Sequence, residues 1–216
     1  MENLLVQVYY TKNGENMKAG FSSFQDMVGF WRIALKKHCE LFDRICIYTD
    51  YEGSIAFKKA GLLMNNKIKV IVIAFDIPDR RFWNACKFTA HLHQPQLYFM
   101  CDIDFMLYDL PSFETDVICE FIRGSRSNEY YPSFNIPERY VWLPASGFLG
   151  FNDVGFARRY AAEALEKIRA ASIDKVDYST LYTIEEAFLA KKIDEEKKTL
   201  SELNVSYVHL RGNMKR

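Results

Sequence analysis

The sequence predicts an α/β fold built on a largely parallel sheet. Three observations point there. Short apolar runs rich in Val, Ile and Tyr alternate with helical patterns over the first hundred residues, which is the signature of strand–helix–strand units. The run Leu97 to Cys101 is apolar throughout and is bounded by Pro95 and Asp102, as suits a strand buried on both faces. That run ends in Asp102-Ile103-Asp104, placing two carboxylates at the carboxyl end of a strand, where open α/β sheets bind ligands.

Taken in order, Leu4 to Tyr10 reads as the first strand, broken by Thr11-Lys12-Asn13-Gly14. Ser22 or Ser23 can cap a helix whose buried face is Met27, Phe30, Trp31, Ala34 and Leu35, because these fall at helical spacing. Lys36, Lys37 and His38 occupy its last turn, where positive charge suits the helix dipole. A second strand, Ile45 to Tyr48, ends in Thr49-Asp50, and a helix from about Glu52 to Ala60 stops at Gly61. Lys69 to Phe75 is a third strand, and Phe82 to His93 a helix before the central strand.

Beyond Pro111 the pattern loosens. Val117 to Ile122 reads as a strand, Arg123 to Glu138 as a polar, mobile loop, and Tyr140 to Leu143 as extended. Ser146 to Phe151 reads as a strand with close backbone approaches at its glycines. Asp153 can cap a long helix through Ala171, buried through Phe156, Tyr160, Leu165 and Ile168. Thr183 can cap a shorter one, Ile184 to Lys192, and the charge run Lys191 to Lys198 reads as its solvated end. Val205 to Val208 is a last strand, followed by His209, Gly212 and Lys215 at H-x-x-G-x-x-K spacing.

Composition narrows the function classes. The 216 residues suffice for one domain with a full core, and Lys plus Arg equals Asp plus Glu at 28 each, so no global charge pulls the chain to nucleic acid or an anionic membrane. Cys39, Cys46, Cys86, Cys101 and Cys119 form no C-x-x-C pair and read as buried free thiols of a reducing compartment. No apolar run approaches a membrane span, and Met1-Glu2-Asn3 lacks a basic start; the expectation is a cytoplasmic protein without a membrane span.

The chemistry resides in the carboxylates and the tail. Asp102 and Asp104 either mark a turn or, with a bend after the strand, approach a hard cation through oxygen. A histidine can complete such a shell, a glycine three residues on admits backbone close to a phosphate, and a lysine beyond it offers a mobile charge. His209 read alone only closes a strand with a polar side chain.

With these residues in view the sequence resembles the GT-A-fold glycosyltransferases, most of all glycosyltransferase family 8, the galactosyltransferase and glycogenin-like retaining enzymes. The resemblance rests on Tyr98 to Leu107 for the Asp-x-Asp strand, Ser146 to Phe151 for a glycine-bearing strand, Glu185 to Leu189 for a helix opened by an acid, and His209 to Lys215. It departs from the family at Ala145, where asparagine is usual, and at Glu186, where glutamine is usual.

The resemblance implies one Rossmann-like GT-A domain over residues 1–216, with a nucleotide-binding half, 1–108, and an acceptor half, 109–216, ending in a tail that contacts the diphosphate. It implies a UDP-sugar donor and Mn2+ or Mg2+ held by Asp102, Asp104 and His209. Asp50, Lys87, Gly212 and Lys215, with Asp102, would contact the donor, and Glu185 or Glu186 would act as nucleophile or stabilise an oxocarbenium-like centre. The acceptor would be a glycan, a lipid-linked group or a protein. Lys87 reads equally as a solvent-facing helix lysine, and the two glutamates as acids of a helix's first turn. Two rivals stand beside the transferase: a transferase fold kept as a binding or regulatory protein, and a haloacid-dehalogenase-type phosphatase with Asp102 as nucleophile.

Overall fold

A computed structural model describes residues 2–11, 21–62, 65–75, 84–124, 142–170 and 178–210. Eleven strands and five helices alternate along them: β1 (Leu4–Tyr9), α1 (Phe24–Leu41), β2 (Arg44–Thr49), α2 (Tyr51–Lys59), β3 (Ile68–Val72), α3 (Ala85–Leu92), β4 (Tyr98–Cys101), β5 (Phe105–Leu107), β6 (Val117–Cys119), β7 (Ile122–Gly124), β8 (Trp142–Pro144), β9 (Phe148–Phe151), α4 (Val154–Ala170), α5 (Tyr178–Glu195), β10 (Leu200–Glu202) and β11 (Tyr207–His209). The fold is mixed α/β with mostly parallel strand pairing, as the alternation predicts.

The chain groups into two compact units, one of residues 1–75, 98–112 and 204–216, the other of 76–97 and 113–203. This grouping is discontinuous in sequence, whereas the halves 1–108 and 109–216 are contiguous.

In the first unit β4, β1, β2 and β3 pair in that order, all parallel. Leu5 lies opposite Ile45 and Phe99, and Val6 opposite Cys46 and Met100, so the middle of β1 has neighbours on both edges. β5 and β11 form a separate antiparallel ribbon. α1 is capped by Ser23, whose hydroxyl accepts the Asp26 amide at 3.0 Å, and it buries Met27, Val28, Trp31, Ala34, Leu35, His38 and Cys39. Phe30 is only half-buried, and Val28 takes its expected place. The last-turn expectation for His38 is corrected. Its ring is fully buried, and desolvation pushes its pKa down to about 3, so it is neutral. The cation that closes α1 is Lys67, whose ammonium donates to the Cys39 and Phe42 carbonyls at 2.8 and 3.0 Å. α2 ends as expected, with Gly61 at φ +66.

In the second unit β10, β6 and β9 pair in that order, β10 parallel and β9 antiparallel to β6, and β7 pairs antiparallel with β8. Val117 to Ile122, expected as one strand, is split into β6 and β7 at Glu120-Phe121. The Glu120 amide there meets the carbonyls of Ala145 and Phe148. α4 starts as predicted: the Asp153 carboxylate accepts the Phe156 amide at 2.9 Å, and Phe156, Tyr160, Leu165 and Ile168 are buried.

α5 does not start as predicted. It begins at Tyr178, so Thr183 lies inside it rather than capping it. The charge run at its end is not simply a solvated face either. Lys192 is 6% exposed and its ammonium lies 2.9 Å from Glu163, 3.3 Å from Glu195 and 3.7 Å from Glu196. All five cysteines are free and buried, as expected. Of the expected loop Arg123 to Glu138, Arg123 and Gly124 belong to strand β7 instead, and the rest lies outside the described residues, as do Phe82 and Trp83 of the expected helix.

Candidate metal centre

β4 is buried at every residue, and the chain leaves it through a tight turn in which the Phe105 amide donates to the Asp102 carbonyl at 3.1 Å. The turn supplies the bend that residues two apart on a strand require if their side chains are to converge. β5 follows at once, and β11 runs back along it with His209 opposite Phe105, Val208 opposite Met106 and Tyr207 opposite Leu107. The Leu210 amide donates to the Asp104 carbonyl at 3.0 Å, and the Phe105 and Tyr207 rings stack at 4.8 Å. His209, more than a hundred residues later in the sequence, is thereby fixed beside the turn by backbone pairing.

The result is a three-residue cluster. One oxygen from each of Asp102 and Asp104 and one ring nitrogen of His209 lie within 4.8 Å of one another. His209 Nε2 is 3.6 Å from Asp104 Oδ1. Asp104 is buried, and burial raises its pKa; the nearby His209 opposes that rise, and the neighbouring Asp102 charge adds to it. A buried carboxylate beside a second carboxylate is the arrangement that a divalent cation relieves. Two carboxylates and one imidazole suit Mn2+ or Mg2+ and leave positions open for other oxygens. The residues present therefore fit the expected ion.

Two buried polar residues to which sequence reasoning assigned no part in the site, Gln7 and His38, support the segment around the turn. Gln7, in the middle of β1, donates from Nε2 to the Asp102 carbonyl at 3.4 Å and to Cys101 Sγ at 3.3 Å, while its Oε1 accepts the Trp31 indole N–H at 2.9 Å. His38 Nε2 accepts the Leu107 amide at 3.2 Å. The available signal was a lone glutamine in the apolar run LLVQVYY.

Asp50 is buried and engaged within the first unit. Its Oδ1 caps α2 through the Gly53 amide at 2.9 Å, and its Oδ2 accepts the Thr11 amide and hydroxyl at 3.1 and 2.5 Å. A Cβ at Gly53 would collide with Thr49 Oγ1, so this helix start admits only glycine without rearrangement.

The second unit holds Lys87, Glu185 and Glu186 together. Lys87, on α3, is 6% exposed rather than solvent-facing. Its ammonium lies 3.3 Å from Glu185 Oε1 and 3.4 Å from the Ser146 carbonyl. Glu186 Oε1 accepts the Ser146 amide at 3.4 Å, and the Tyr160 hydroxyl donates to the Glu185 carbonyl at 3.0 Å. Both glutamates are buried well inside α5, not in its first turn. Ala145 is buried, and its amide donates to the Phe121 carbonyl. Gly212 and Lys215 lie outside the described residues.

No protein-family model matches the sequence, and no curated protein matches it. Among solved structures the chain is similar to 4-diphosphocytidyl-2C-methyl-D-erythritol synthase from Anaerococcus prevotii DSM 20548, at 11% identity and a TM-score of 0.49, over 98% of this chain and 94% of that one. A likeness at that level assigns neither reaction nor substrate. Among the described residues no helix is long and apolar enough to cross a membrane.

Proposed function

We propose that this chain is a GT-A-fold glycosyltransferase, dependent on Mn2+ or Mg2+, that moves a sugar from a UDP-sugar to an acceptor hydroxyl with retention of configuration. The observation that carries the reading is the convergence of Asp102, Asp104 and His209 at the carboxyl end of a parallel-sheet strand. These three residues would hold the cation, which when bound supplies charge neutralisation at a departing diphosphate.

The remaining roles fall to the chain's own side chains. Asp50, Lys87, Gly212 and Lys215 contact the donor, and Lys215 adds positive charge at the leaving group once Gly212 lets backbone pass close to the phosphates. Glu185 and Glu186 are the carboxylates for the reacting sugar carbon. Lys87 Nζ lies 3.3 Å from Glu185 Oε1, which puts a cation beside the carboxylate proposed as nucleophile or oxocarbenium stabiliser. The acceptor is a glycan, a lipid-linked group or a protein. Five buried free thiols accord with a cytoplasmic setting.

The test is donor hydrolysis. Wild-type protein with a panel of UDP-sugars should release UDP when Mn2+ is added and not when it is chelated, and Glu185→Gln with Glu186→Gln should lose that release while keeping UDP binding. UDP that binds in a Mn2+-dependent way without turnover of any donor would instead favour the binding or regulatory protein. A phosphoenzyme trapped on Asp102 would favour the phosphatase.

A further inference from the structure

Helix α1 makes two buried polar contacts around the candidate cation site, one to Gln7 of β1, which reaches the Asp102 carbonyl, and one to Leu107 at the end of β5. Trp31 and His38 are seven residues apart on α1, two helical turns and so about 10 Å along one face. At one end the Trp31 indole N–H donates to Gln7 Oε1 at 2.9 Å, which orients the amide so that its Nε2 meets the Asp102 carbonyl at 3.4 Å. At the other end His38 Nε2 accepts the Leu107 amide at 3.2 Å. Trp31, Gln7 and His38 each have 0% exposure. Between those two points lie Asp104 and the start of the ribbon that brings His209 in.

A hydrophobic side chain would fill any of these three sites more cheaply if packing were the only requirement. Each polar group instead meets the turn's own backbone or a residue that does. Leu107 is an instructive case. Its amide belongs to a three-residue strand whose pairing partner is Tyr207, and the imidazole acceptor comes from the helix. A carbonyl or an amide held in this way fixes the backbone torsions on either side, and so the directions in which Asp102 and Asp104 leave the chain.

We infer that α1 positions the cation-binding turn through two buried anchors, Trp31 with Gln7 at Asp102 and His38 at Leu107. The inference rests on the proposed cation site and adds to it three positioning residues that never touch the ion. Groups that orient metal ligands from behind typically govern affinity by about 10- to 100-fold.

The experiment is Mn2+ titration followed by electron paramagnetic resonance of the free ion. It compares wild type, His38→Leu, His38→Gln, Trp31→Phe and, as a control of similar core disruption, Leu62→Ala. Leu62 is buried beside the end of α2. His38→Leu and Trp31→Phe should each weaken Mn2+ binding about tenfold. His38→Gln, which restores an acceptor, should return affinity to within about threefold of wild type. Leu62→Ala should bind Mn2+ as wild type does at equal loss of melting temperature. Hydrogen exchange at the Leu107 amide supplies a readout free of metal: it should quicken in His38→Leu and slow again in His38→Gln. Folded His38→Leu and Trp31→Phe proteins with wild-type Mn2+ affinity would overturn this inference alone. Wild-type protein with no Mn2+ affinity would overturn the cation site as well.

Discussion

His209 lies directly opposite Phe105 across the β5–β11 ribbon, so the residue after Asp104 is paired with the third member of the candidate cation cluster. Cross-strand neighbours on an antiparallel pair are about 5 Å apart, and that spacing brings His209 Nε2 to 3.6 Å from Asp104 Oδ1. The cluster is therefore a product of backbone register. A slip of one residue would turn His209 to the other face of the ribbon.

Register can be attacked without touching the three-residue cluster. Val208 pairs with Met106, and proline at 208 removes a ribbon amide. Val208→Pro should weaken Mn2+ binding by at least tenfold while costing on the order of 1–3 kcal/mol of stability. Val208→Ile should do neither. Equal Mn2+ affinity in folded Val208→Pro protein, measured by the same resonance titration, would show that the ribbon does not place the histidine.

Acid should destabilise the fold well before its carboxylates are all protonated. His38 and His91 are both fully buried, and desolvation pushes each pKa down to about 3, with Lys87 adding to the effect at His91. The unfolded chain takes these protons near pH 6.5, so the stability from each neutral ring is fully present above pH 6.5 and is lost as pH falls from there toward 3. Between pH 7.5 and pH 5 each histidine should cost on the order of 2 kcal/mol. His91→Phe should remove about half of that pH dependence, since the ring already packs edge-on against Phe151. Urea unfolding at the two pH values measures it, and an unchanged slope in the variant would contradict the assignment.

How much of this was readable from residues alone varies by element. The strand–helix alternation, the Gly61 stop and the Asp153 cap were legible because each rests on local chemistry. So was the cluster of Asp102, Asp104 and His209, through spacing and resemblance. The start of α5 was not: a threonine in a helix interior looks like a cap until the preceding turn is known. Nor could sequence tell a buried neutral His38 from a helix-end cation, because both sit at the same place in the helix and only burial separates them. Lys192 was hidden for the same reason, within a run whose composition reads as solvated.

The ion pair of Lys87 with Glu185 is testable by a double-mutant cycle. Both side chains are nearly inaccessible and lie 3.3 Å apart. Lys87→Met should destabilise by about 3–5 kcal/mol, because it leaves a buried carboxylate without its cation. Adding Glu185→Gln should recover part of that loss, giving a coupling of about 1–3 kcal/mol. Additive effects in chemical unfolding would mean that the two charges do not act as a pair.

The most direct measurement is calorimetric binding of UDP in the presence and absence of Mn2+, with wild type and with the Asp102→Asn, Asp104→Asn double variant. Neither substitution removes a buried apolar group, so the variant should melt within a few degrees of wild type. Wild type should bind UDP with Mn2+ and lose at least tenfold in affinity when the ion is chelated, and the double variant should bind weakly in both conditions. UDP affinity that is equal with and without Mn2+, or unchanged in the folded double variant, would contradict the cation site and with it the transferase reading.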